Sequence, residues 1–450
     1  MTRLLVIGGS DAGVSACLRA RELDRRVEAT MVLADDYPNH SICGLPMFLG
    51  GEVTDWRTLA HRTRDDLRAA GIDVVARTRA VAVDASARRV RAIGPDREVD
   101  LCYDRLVLAT GAEPVRPPLS GIDQDGVFVL HGMDDGLAID TFLARRAPRR
   151  AVVVGAGYIG CEMTDALTRR GVSVTLLEQA PSVLPTVDAS LGDVLAERMR
   201  REGAKVLLGV RVEAIEALGP ALSVRTAGGP SHETDMVLVV VGVRPVTDLA
   251  QALGIELGVR GAVRVGRDMS TGVPNVWAAG DCVETWHRLL GHATYLPLGT
   301  TAHKQGRIAG ENALGGARLY EGTLGTQVVK VFDTVVGRTG LNDGEARAVG
   351  WEPVTAEVTT WDHKAYYPGA RPLTVRVTAD RASRRLLGAQ ILGSLPSEVS
   401  KRIDVLAVAL HHGMHVDAVS DLDLSYTPPL SGPWDPVQMA CQVWESRVRG

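Results

Sequence analysis

A chain of 450 residues is too long for one hydrophobic core, so its length predicts about two to four domains. With 23% charged residues and a formal net charge of −4, it gives no electrostatic reason to expect nucleic acid or anionic lipid as a partner. No apolar run approaches the roughly 20 residues of a membrane-spanning helix. The N-terminus leads straight into an apolar strand, so we expect a cytoplasmic protein without a secretory signal.

The first predicted unit is a strand, a glycine-rich turn, a helix and a second strand. The first strand covers residues 4–7, the turn is GGSDAG at residues 8–13, and the second strand covers residues 27–33. Glycine permits the sharp turn and lets the backbone approach a pyrophosphate, which then lies on the helix N-terminus. The carboxylate that would bind a ribose, Asp35, arrives two residues after this second strand. The turn residues expected at a dinucleotide are Gly8, Gly9, Gly13 and Ser10, the last standing where a second glycine is usual.

A second unit repeats this design, with GAGYIG at residues 155–160 between a strand at residues 151–154 and a helix ending near Arg170. One such turn is weak evidence, but two copies, each between a strand and a helix, predict two dinucleotide-binding domains. The next strand ends on Glu178, and no cation for a 2′-phosphate follows it, which favours NADH over NADPH. The turn residues expected at this second dinucleotide are Gly155, Gly157, Tyr158, Ile159 and Gly160.

Other predicted strands end in short turns, at the edge where an open α/β sheet binds its ligands. Such strands are predicted at residues 105–109, 236–241 and 275–279, and a helix begins after residue 297. Their ends supply further candidate cofactor contacts, which are Thr110, Gly111, Gly242, Gly280, Asp281, Thr301 and Ala302.

From about residue 319 the pattern changes, which predicts a separate α+β domain. Strands are expected at residues 326–332, 352–360, 373–378 and 386–392, and an amphipathic helix at residues 398–412. The predicted fold is therefore α/β, with two Rossmann-like dinucleotide-binding domains plus a C-terminal α+β domain. The boundaries expected are residues 1–112 with 245–318 for the first dinucleotide-binding domain, 113–244 for the second, and 319–450 for the tail.

Cys43, within SICGLP at residues 41–46, is the cysteine that we expect to react. It follows a polar segment and is predicted to begin a helix, whose dipole would lower the thiol pKa and stabilise the nucleophilic thiolate. Ser41, two residues earlier, is interpreted either as a hydrogen-bond donor to that thiolate or as a helix cap.

The remaining cysteines and a histidine cluster are not expected to carry chemistry. The cysteines show neither CxxC nor zinc-like spacing, so structural roles are expected for Cys17, Cys102, Cys161, Cys282 and Cys441. Histidines at positions 411, 412 and 415 have no matching carboxylate or cysteine set, so the sequence predicts no metal site.

Together these motifs resemble the flavoprotein disulfide reductases, which are FAD- and NAD(P)-dependent pyridine nucleotide-disulfide oxidoreductases. The resemblance covers essentially the whole chain and rests on the order of the two glycine turns, the ATG and AAGD elements, and the α+β tail. It implies a tightly bound FAD on residues 8–13, at Thr110-Gly111, and at Asp281 near the ribityl chain. It also implies NAD(P)H on residues 155–160 and Glu178, with Glu162 near the nicotinamide.

The segment SICGLP is similar to the single-cysteine branch, which includes coenzyme A-disulfide reductase, NADH oxidase and NADH peroxidase. The oxidase and the peroxidase carry a histidine in the first glycine turn, where this chain has Asp11. Coenzyme A-disulfide reductase lacks that histidine and uses two tail-domain tyrosines that reach the partner subunit's active site. The similar segments AYYPGA at residues 365–370 and SYTPP at residues 425–429 imply catalytic Tyr426 and Tyr367, or Tyr366 by a one-residue shift, in a homodimer.

The implied function is electron transfer from NAD(P)H through FAD to Cys43 and on to a small disulfide such as coenzyme A disulfide. A tyrosine would donate a proton to the leaving thiolate. The second hypothesis is an NADH oxidase or peroxidase acting through a Cys43 sulfenic acid, which Asp11 disfavours. The third is an electron-transfer reductase for a ferredoxin- or rubredoxin-like protein, which needs no reactive cysteine. A flavoprotein redox sensor is the non-enzymatic alternative.

Overall fold

The structure is a computed structural model that describes residues 1–449, and the chain divides into two compact units. Unit 1 contains Met1–Pro148, Met236–Trp286 and His292–Gly322. Unit 2 contains Arg149–Asp235, His287–Gly291 and the chain from Thr323 onward. The three domain boundaries expected from the sequence stay a prediction.

The secondary structure follows the predicted order of elements. The strands are β1 (Arg3–Ile7), β2 (Glu28–Val32), β3 (Ile72–Val75), β4 (Arg79–Asp84), β5 (Arg89–Ile93), β6 (Glu98–Cys102), β7 (Arg105–Leu108), β8 (Ala112–Pro114), β9 (Val127–Phe128), β10 (Arg150–Val154), β11 (Ser173–Glu178), β12 (Lys205–Leu208), β13 (Val212–Leu218), β14 (Ala221–Thr226), β15 (His232–Thr234), β16 (Met236–Val239), β17 (Val243–Pro245), β18 (Val276–Ala278), β19 (Thr285–His287), β20 (His292–Thr294), β21 (Gln327–Val331), β22 (Thr334–Gly340), β23 (Pro353–Trp361), β24 (Pro372–Asp380) and β25 (Leu386–Ser394). The helices are α1 (Asp11–Leu23), α2 (Leu45–Leu49), α3 (Arg64–Ala69), α4 (Met133–Arg146), α5 (Tyr158–Arg169), α6 (Ala189–Arg201), α7 (Asp248–Ala252), α8 (Gly299–Ala313), α9 (Asp343–Ala348), α10 (Val399–His411), α11 (Val416–Ser420) and α12 (Pro436–Arg449).

Unit 1 is built on a parallel sheet in the order β18-β7-β1-β2-β3. The apolar run of β1 is buried from Leu4 onward, as a strand covered on both faces requires. Helix α8 packs so closely on α1 that a Cβ on Gly306 would lie 2.1 Å from the carbonyl oxygen of Ala12, and only glycine fits there. The same is true of Gly310, whose Cβ would lie 2.2 Å from the Ala16 carbonyl oxygen.

Unit 2 contains the second dinucleotide-binding core and the tail. Strands β10, β11 and β12 pair in parallel, and β13, β14 and β15 form an antiparallel sheet. The tail is an antiparallel sheet in the order β21-β22-β25-β24-β23, with α10 and α12 packed on it. Trp444 on α12 is fully buried, and its indole nitrogen donates to the Val354 carbonyl oxygen at 2.7 Å. The predicted α/β fold with an α+β tail is confirmed.

Several strands were not predicted, and β22 and the sheet of β4, β5 and β6 are two examples. Strand β22 directly follows β21 through a tight turn in which Phe332 has a φ of 54°, and that turn carries no Gly or Asn-Gly signal. Strands β4, β5 and β6 form a small antiparallel sheet whose residues are mostly partly exposed. Their hydrophobic patterns are short and weak, so the sequence alone does not mark them.

Candidate functional site

The first glycine turn has a backbone that only glycine can form. Gly8 has a φ of 119°, and a Cβ on it would lie 1.9 Å from the Ala109 carbonyl oxygen on the neighbouring strand end. A Cβ on Gly13 would lie 2.0 Å from the Gly8 carbonyl oxygen. Extended Ser10 then leads into α1, which begins at Asp11. The turn therefore presents a helix N-terminus at the carboxyl end of a parallel sheet, which fits a pyrophosphate.

Asn39 joins this turn to the segment that carries Cys43. It has a left-handed φ of 53°, and its backbone N–H donates to the Gly9 carbonyl oxygen at 2.8 Å. Its Nδ2 donates to Asp11 Oδ1 at 3.3 Å, whereas its buried Oδ1 has no hydrogen-bond partner within residues 1–449. A buried acceptor without a donor is costly, so a bound group with a hydroxyl or N–H is expected here. These features fit a dinucleotide such as FAD.

Asp281 follows β18 at the same end of the sheet. Its carbonyl oxygen accepts from the Tyr295 hydroxyl at 2.9 Å, and the preceding Gly280 N–H donates to Gln305 Oε1 at 2.9 Å. Burial first, and then the charge of Asp11, raises the pKa of Asp281 to about 6. A carboxylate in such a site gains from a hydrogen-bond donor, and a ribityl hydroxyl of FAD is suited to that role.

The other cofactor contacts predicted in unit 1 are placed as follows. The Thr110 hydroxyl donates to the Val246 carbonyl oxygen at 2.6 Å, and Gly111 follows with a φ of 71°. Gly242 has a φ of 116° and lies just after β16, while Thr301 and Ala302 are buried in the first turn of α8. Asp35 is exposed beyond the end of β2, where its carboxylate accepts from the Tyr37 backbone N–H at 2.9 Å.

Cys43 is exposed and lies in a short 3₁₀ turn, Ile42–Gly44. The prediction that it begins an α-helix is wrong, because α2 begins at Leu45. Pro46 is the reason, since proline fits the first turn of a helix but not its interior. Helix α2 has only 5 residues, so the dipole argument for Cys43 is weak. Ser41 makes no capping hydrogen bond through its side chain, so its interpretation as a helix cap is wrong.

Four of the other five cysteines differ from Cys43 in burial. Cys17, Cys161, Cys282 and Cys441 are all buried, as structural roles require. Burial raises the thiol pKa of Cys17, Cys161 and Cys441 to about 12 in each case. It also raises that of Cys282. Cys102 is exposed, at the end of β6.

In unit 2 the second glycine turn places Glu178 against its backbone. Gly155 has a φ of 103°, and Gly157 immediately precedes α5, so Tyr158, Ile159 and Gly160 form the first turn of that helix. Glu178, at the end of β11, accepts from the Ala156 N–H at 2.6 Å and from the Ala180 N–H at 2.7 Å. The Tyr158 hydroxyl donates to Gln327 Oε1 and accepts from the Thr186 hydroxyl. The carboxylate and the glycine turn thus lie together, which fits the ribose and pyrophosphate of NAD(P)H.

Glu162 lies one turn further along α5. Burial raises its pKa to about 7, the positive charge of Lys330 opposes that rise, and Asp165 adds to it. Lys330 Nζ lies 3.4 Å from Asp165 Oδ2, which also accepts from the Phe332 N–H at 2.8 Å. Near neutral pH, Glu162 therefore exists in both protonation states.

This shift predicts a pH-dependent stability difference between the wild type and Glu162→Gln. Because the folded-state pKa of about 7 lies above the ordinary 4.5, the proton on Glu162 stabilises the fold fully below pH 4.5. That stabilisation is lost as the pH rises through 7. Urea titrations from about pH 5 to pH 8 should show the wild type losing up to about 3 kcal/mol relative to Glu162→Gln. Identical pH profiles for the two proteins would refute the assignment.

Tyr367 and Tyr426 lie in two neighbouring loops of the tail. Their exposed fractions are 42% and 47%, against 73% for Tyr366. The Tyr367 N–H donates to the Lys364 carbonyl oxygen at 2.8 Å, and the Lys364 N–H donates to the Pro428 carbonyl oxygen at 3.3 Å, which joins the loops. The structure therefore brings both tyrosine segments together, and their approach to Cys43 of a partner subunit stays a prediction.

Sequence reasoning missed several polar residues in unit 1. Asn39 is one, and Gln305 on α8 is another, since it also donates to the Thr285 hydroxyl at 3.2 Å. Ser15 on α1 lies 2.8 Å from Nδ1 of His303 on α8. Polar residues among the small residues of glycine-rich helices are the signal that would have pointed to Ser15, His303 and Gln305. Asn39 lies in a loop, where that signal does not apply.

Neither a metal site nor a membrane-spanning helix is found among residues 1–449. No group of three or more His, Cys, Asp or Glu side chains within residues 1–449 is arranged to hold a metal ion. The predicted histidine cluster contains a ring contact between His411 and His412 at 5.2 Å. No helix within residues 1–449 is long and hydrophobic enough to cross a membrane.

Comparison with known proteins gives a consistent pattern. A family model described as pyridine nucleotide-disulphide oxidoreductase matches residues 2–306, and one described as its dimerisation domain matches residues 326–436. NAD(P)H sulfur oxidoreductase (CoA-dependent) of Pyrococcus furiosus is 32% identical, over 98% of both chains. NADH oxidase of Methanocaldococcus jannaschii is 31% identical, also over 98% of both chains. The crystal structure of reduced Bacillus anthracis CoADR-RHD matches with a TM-score of 0.96 and 32% identity, covering 100% of this chain and 81% of that one.

Proposed function

This chain belongs to the pyridine nucleotide-disulphide oxidoreductase family, and we propose that it reduces a small-molecule disulfide such as coenzyme A disulfide with electrons from NADH. It is a flavin-dependent oxidoreductase that uses FAD and NAD(P)H, as that family does. We also propose that it works as a homodimer, since its tail matches the dimerisation domain.

The observation that carries the proposal is the placement of Cys43. Among the four cysteines of unit 1, Cys17 and Cys282 are buried and Cys43 and Cys102 are exposed, but Cys102 ends β6 in the small antiparallel sheet. Its segment is tied to the first glycine turn by the Asn39 N–H bond to the Gly9 carbonyl oxygen at 2.8 Å. A second backbone hydrogen bond, from the Ser41 N–H to the Leu59 carbonyl oxygen at 2.8 Å, holds the same segment two residues before Cys43. An exposed cysteine on a segment that is bonded to a dinucleotide turn is suited to exchange with a disulfide.

The proposed reaction begins with the Cys43 thiolate attacking one sulfur of the substrate disulfide. The substrate S–S bond breaks, a mixed disulfide forms on Cys43, and the leaving thiolate takes a proton from Tyr426 or Tyr367. FAD, when bound, supplies two electrons that originate as a hydride from NADH. With those electrons and one further proton, the mixed disulfide is cleaved to the Cys43 thiolate and a second thiol. In sum, one NADH, one proton and one disulfide give NAD⁺ and two thiols.

Glu178 supports NADH as the preferred donor. Its carboxylate is held by two backbone N–H groups at the glycine turn, where it would accept hydrogen bonds from ribose hydroxyls and repel a 2′-phosphate. Neither of the next two residues, Gln179 and Ala180, is a cation.

An NADH oxidase or peroxidase is the second candidate, because the M. jannaschii relative carries the name NADH oxidase. In that case a Cys43 sulfenic acid would replace the mixed disulfide. Asp11 favours the disulfide reductase, since the first glycine turn carries a carboxylate bonded to Asn39 where the oxidases carry a histidine.

The test is anaerobic turnover of the FAD-loaded enzyme with NADH and a panel of coenzyme A disulfide, glutathione disulfide and cystine. We expect two thiols for each NADH consumed with at least one of these disulfides, and a lower kcat/KM for NADPH than for NADH. Failure to reduce any disulfide, together with NADH consumption that requires oxygen or peroxide, would establish the oxidase or peroxidase instead.

The tyrosine assignment makes a separate prediction. Loss of a general acid costs about 100-fold or more, so Tyr426→Phe should lower kcat for disulfide reduction by that order. Reduction of the flavin by NADH, followed by its absorbance, should stay unchanged because the tyrosine acts only on the leaving thiolate. Tyr366→Phe is the matched control and should retain wild-type turnover. A loss in Tyr366→Phe together with wild-type turnover in Tyr367→Phe would assign the second tyrosine to position 366. Wild-type turnover in Tyr426→Phe would refute the assignment of Tyr426.

A further inference from the structure

Arg402, on α10 of the tail, is a buried cation to which the proposed reaction gives no task. Its exposed fraction is 9%, and its guanidinium donates to four oxygens. Nε donates to the Ser397 carbonyl oxygen at 3.2 Å, and Nη1 to Asp435 Oδ2 at 2.7 Å. Nη2 donates to the carbonyl oxygens of Asp362 at 2.7 Å and Leu430 at 3.3 Å. Two of these acceptor residues, Asp362 and Asp435, lie at the ends of the loops that carry Tyr367 and Tyr426.

The first tyrosine loop, residues 362–371, is closed by Asp362. The Asp362 N–H donates to the Arg371 carbonyl oxygen at 2.9 Å, and the Arg371 N–H returns a bond to Asp362 Oδ1 at 2.9 Å. The Ser397 hydroxyl donates to Asp362 Oδ2 at 2.8 Å. Arg402 therefore holds the base of a closed loop, and Tyr367 lies on its exposed part.

The second tyrosine loop, residues 425–435, is held in the same way. The Leu430 N–H donates to the Thr427 carbonyl oxygen at 3.0 Å, which closes a turn directly after Tyr426. At the far end, Asp435 accepts from Arg402 and, at 3.0 Å, from the Ser431 hydroxyl. Arg402 thus contacts this loop at two points after Tyr426, the Leu430 carbonyl oxygen and the Asp435 carboxylate.

We propose that Arg402 is a positioning residue, which holds the Tyr367 and Tyr426 loops in the one arrangement that lets a tyrosine protonate the leaving thiolate. The proposal rests on the proposed function. Both tyrosines are about half exposed, so core packing does little to fix them. Beside the ring contacts of Tyr367 with His363 and of Lys364 with Trp434, the polar contacts of Arg402 hold their loops from beneath. A planar guanidinium with five N–H donors can bond four oxygens in different directions, whereas a lysine ammonium offers three donors from one point.

The test compares Arg402→Lys with the wild type and with Lys401→Gln, an exposed neighbour on the same helix, all as FAD-loaded full-length enzyme. Two activities are measured, which are NADH-dependent disulfide reduction and NADH-dependent ferricyanide reduction, the latter needing no tyrosine. We expect Arg402→Lys to lower kcat for the disulfide at least about tenfold while ferricyanide reduction stays within about twofold. Lys401→Gln should match the wild type in both.

A double-mutant comparison separates positioning from general stability. In a Tyr367→Phe, Tyr426→Phe background, Arg402→Lys should cause no further loss, because the groups that it positions are already absent. A further loss equal to that in the wild-type background, or an equal loss of both activities, would overturn the proposal. If Arg402→Lys does not retain FAD, Asp435→Asn, which has nearly the same shape, is measured by the same criteria.

The outcomes also distinguish this proposal from the proposed function. Wild-type enzyme that reduces no disulfide would end both. Disulfide reduction that needs Cys43 but is unaffected by the paired tyrosine substitutions would overturn the roles of the two tyrosines and of Arg402, but not disulfide reduction through Cys43.

Discussion

Replacing Cys43 with serine should lower NADH-dependent disulfide reduction by at least about 1,000-fold, because a serine hydroxyl cannot replace a thiolate in disulfide exchange. The FAD turn and the NAD(P)H turn are untouched by the change, so NADH should still bleach the flavin absorbance at the wild-type rate. Both quantities can be followed in one anaerobic stopped-flow experiment.

Cys102→Ser is the matched control for this substitution. Cys102 is exposed like Cys43, but it lies at the end of β6 in the small antiparallel sheet. Its replacement should leave disulfide reduction at the wild-type rate. Full turnover in Cys43→Ser would instead favour an electron-transfer reductase for a protein partner.

Replacing Gly8 with alanine should weaken FAD binding by about 100-fold or more. The new Cβ would lie 1.9 Å from the Ala109 carbonyl oxygen, and the φ of 119° is one that L-residues rarely adopt. The turn must therefore move, and a displacement costing about 3 kcal/mol or more lowers FAD affinity by about 100-fold or more. The ratio of flavin to protein absorbance after purification, and titration of the apoprotein with FAD, measure this loss.

Gly51→Ala tests whether the effect comes from the close approach or merely from a positive φ. Gly51 has a φ of 83°, but an added Cβ would meet nothing within 4 Å. The Gly51→Ala variant should lose only about 1 kcal/mol in free energy of unfolding, because of the positive φ, and should keep its FAD. Equal FAD loss in both variants would mean that the close approach at Gly8 is not what shapes the site.

Local features of the site were predictable from sequence. Each glycine turn is encoded within a few residues, so a helix after each turn was predicted, although α1 and α5 begin inside the motifs, at Asp11 and Tyr158. The carboxyl ends of parallel strands meet at one edge, so Gly280 and Asp281 were predicted there from the strand that precedes them.

Features that depend on distant partners were not predictable. The unpaired Oδ1 of Asn39 becomes informative only when the fold buries it beside the glycine turn. Arg402 bonds carbonyl oxygens of Asp362 and Leu430, which are 40 and 28 residues away, and no sequence pattern specifies a backbone acceptor. The start of α2 was misplaced because Pro46 shifts the α-helix beyond Cys43.

The most direct test of the account is the mass of the Cys43 peptide after one exchange. Enzyme treated with a thiol reductant and freed of small molecules, with its FAD left oxidised so that no electrons reach the mixed disulfide, is mixed anaerobically with one equivalent of coenzyme A disulfide, quenched in acid and digested. We predict one coenzyme A joined to Cys43 through a disulfide and one equivalent of coenzyme A thiol in solution. An unmodified Cys43 with intact coenzyme A disulfide, in enzyme that forms a Cys43 sulfenic acid with peroxide, would contradict the account.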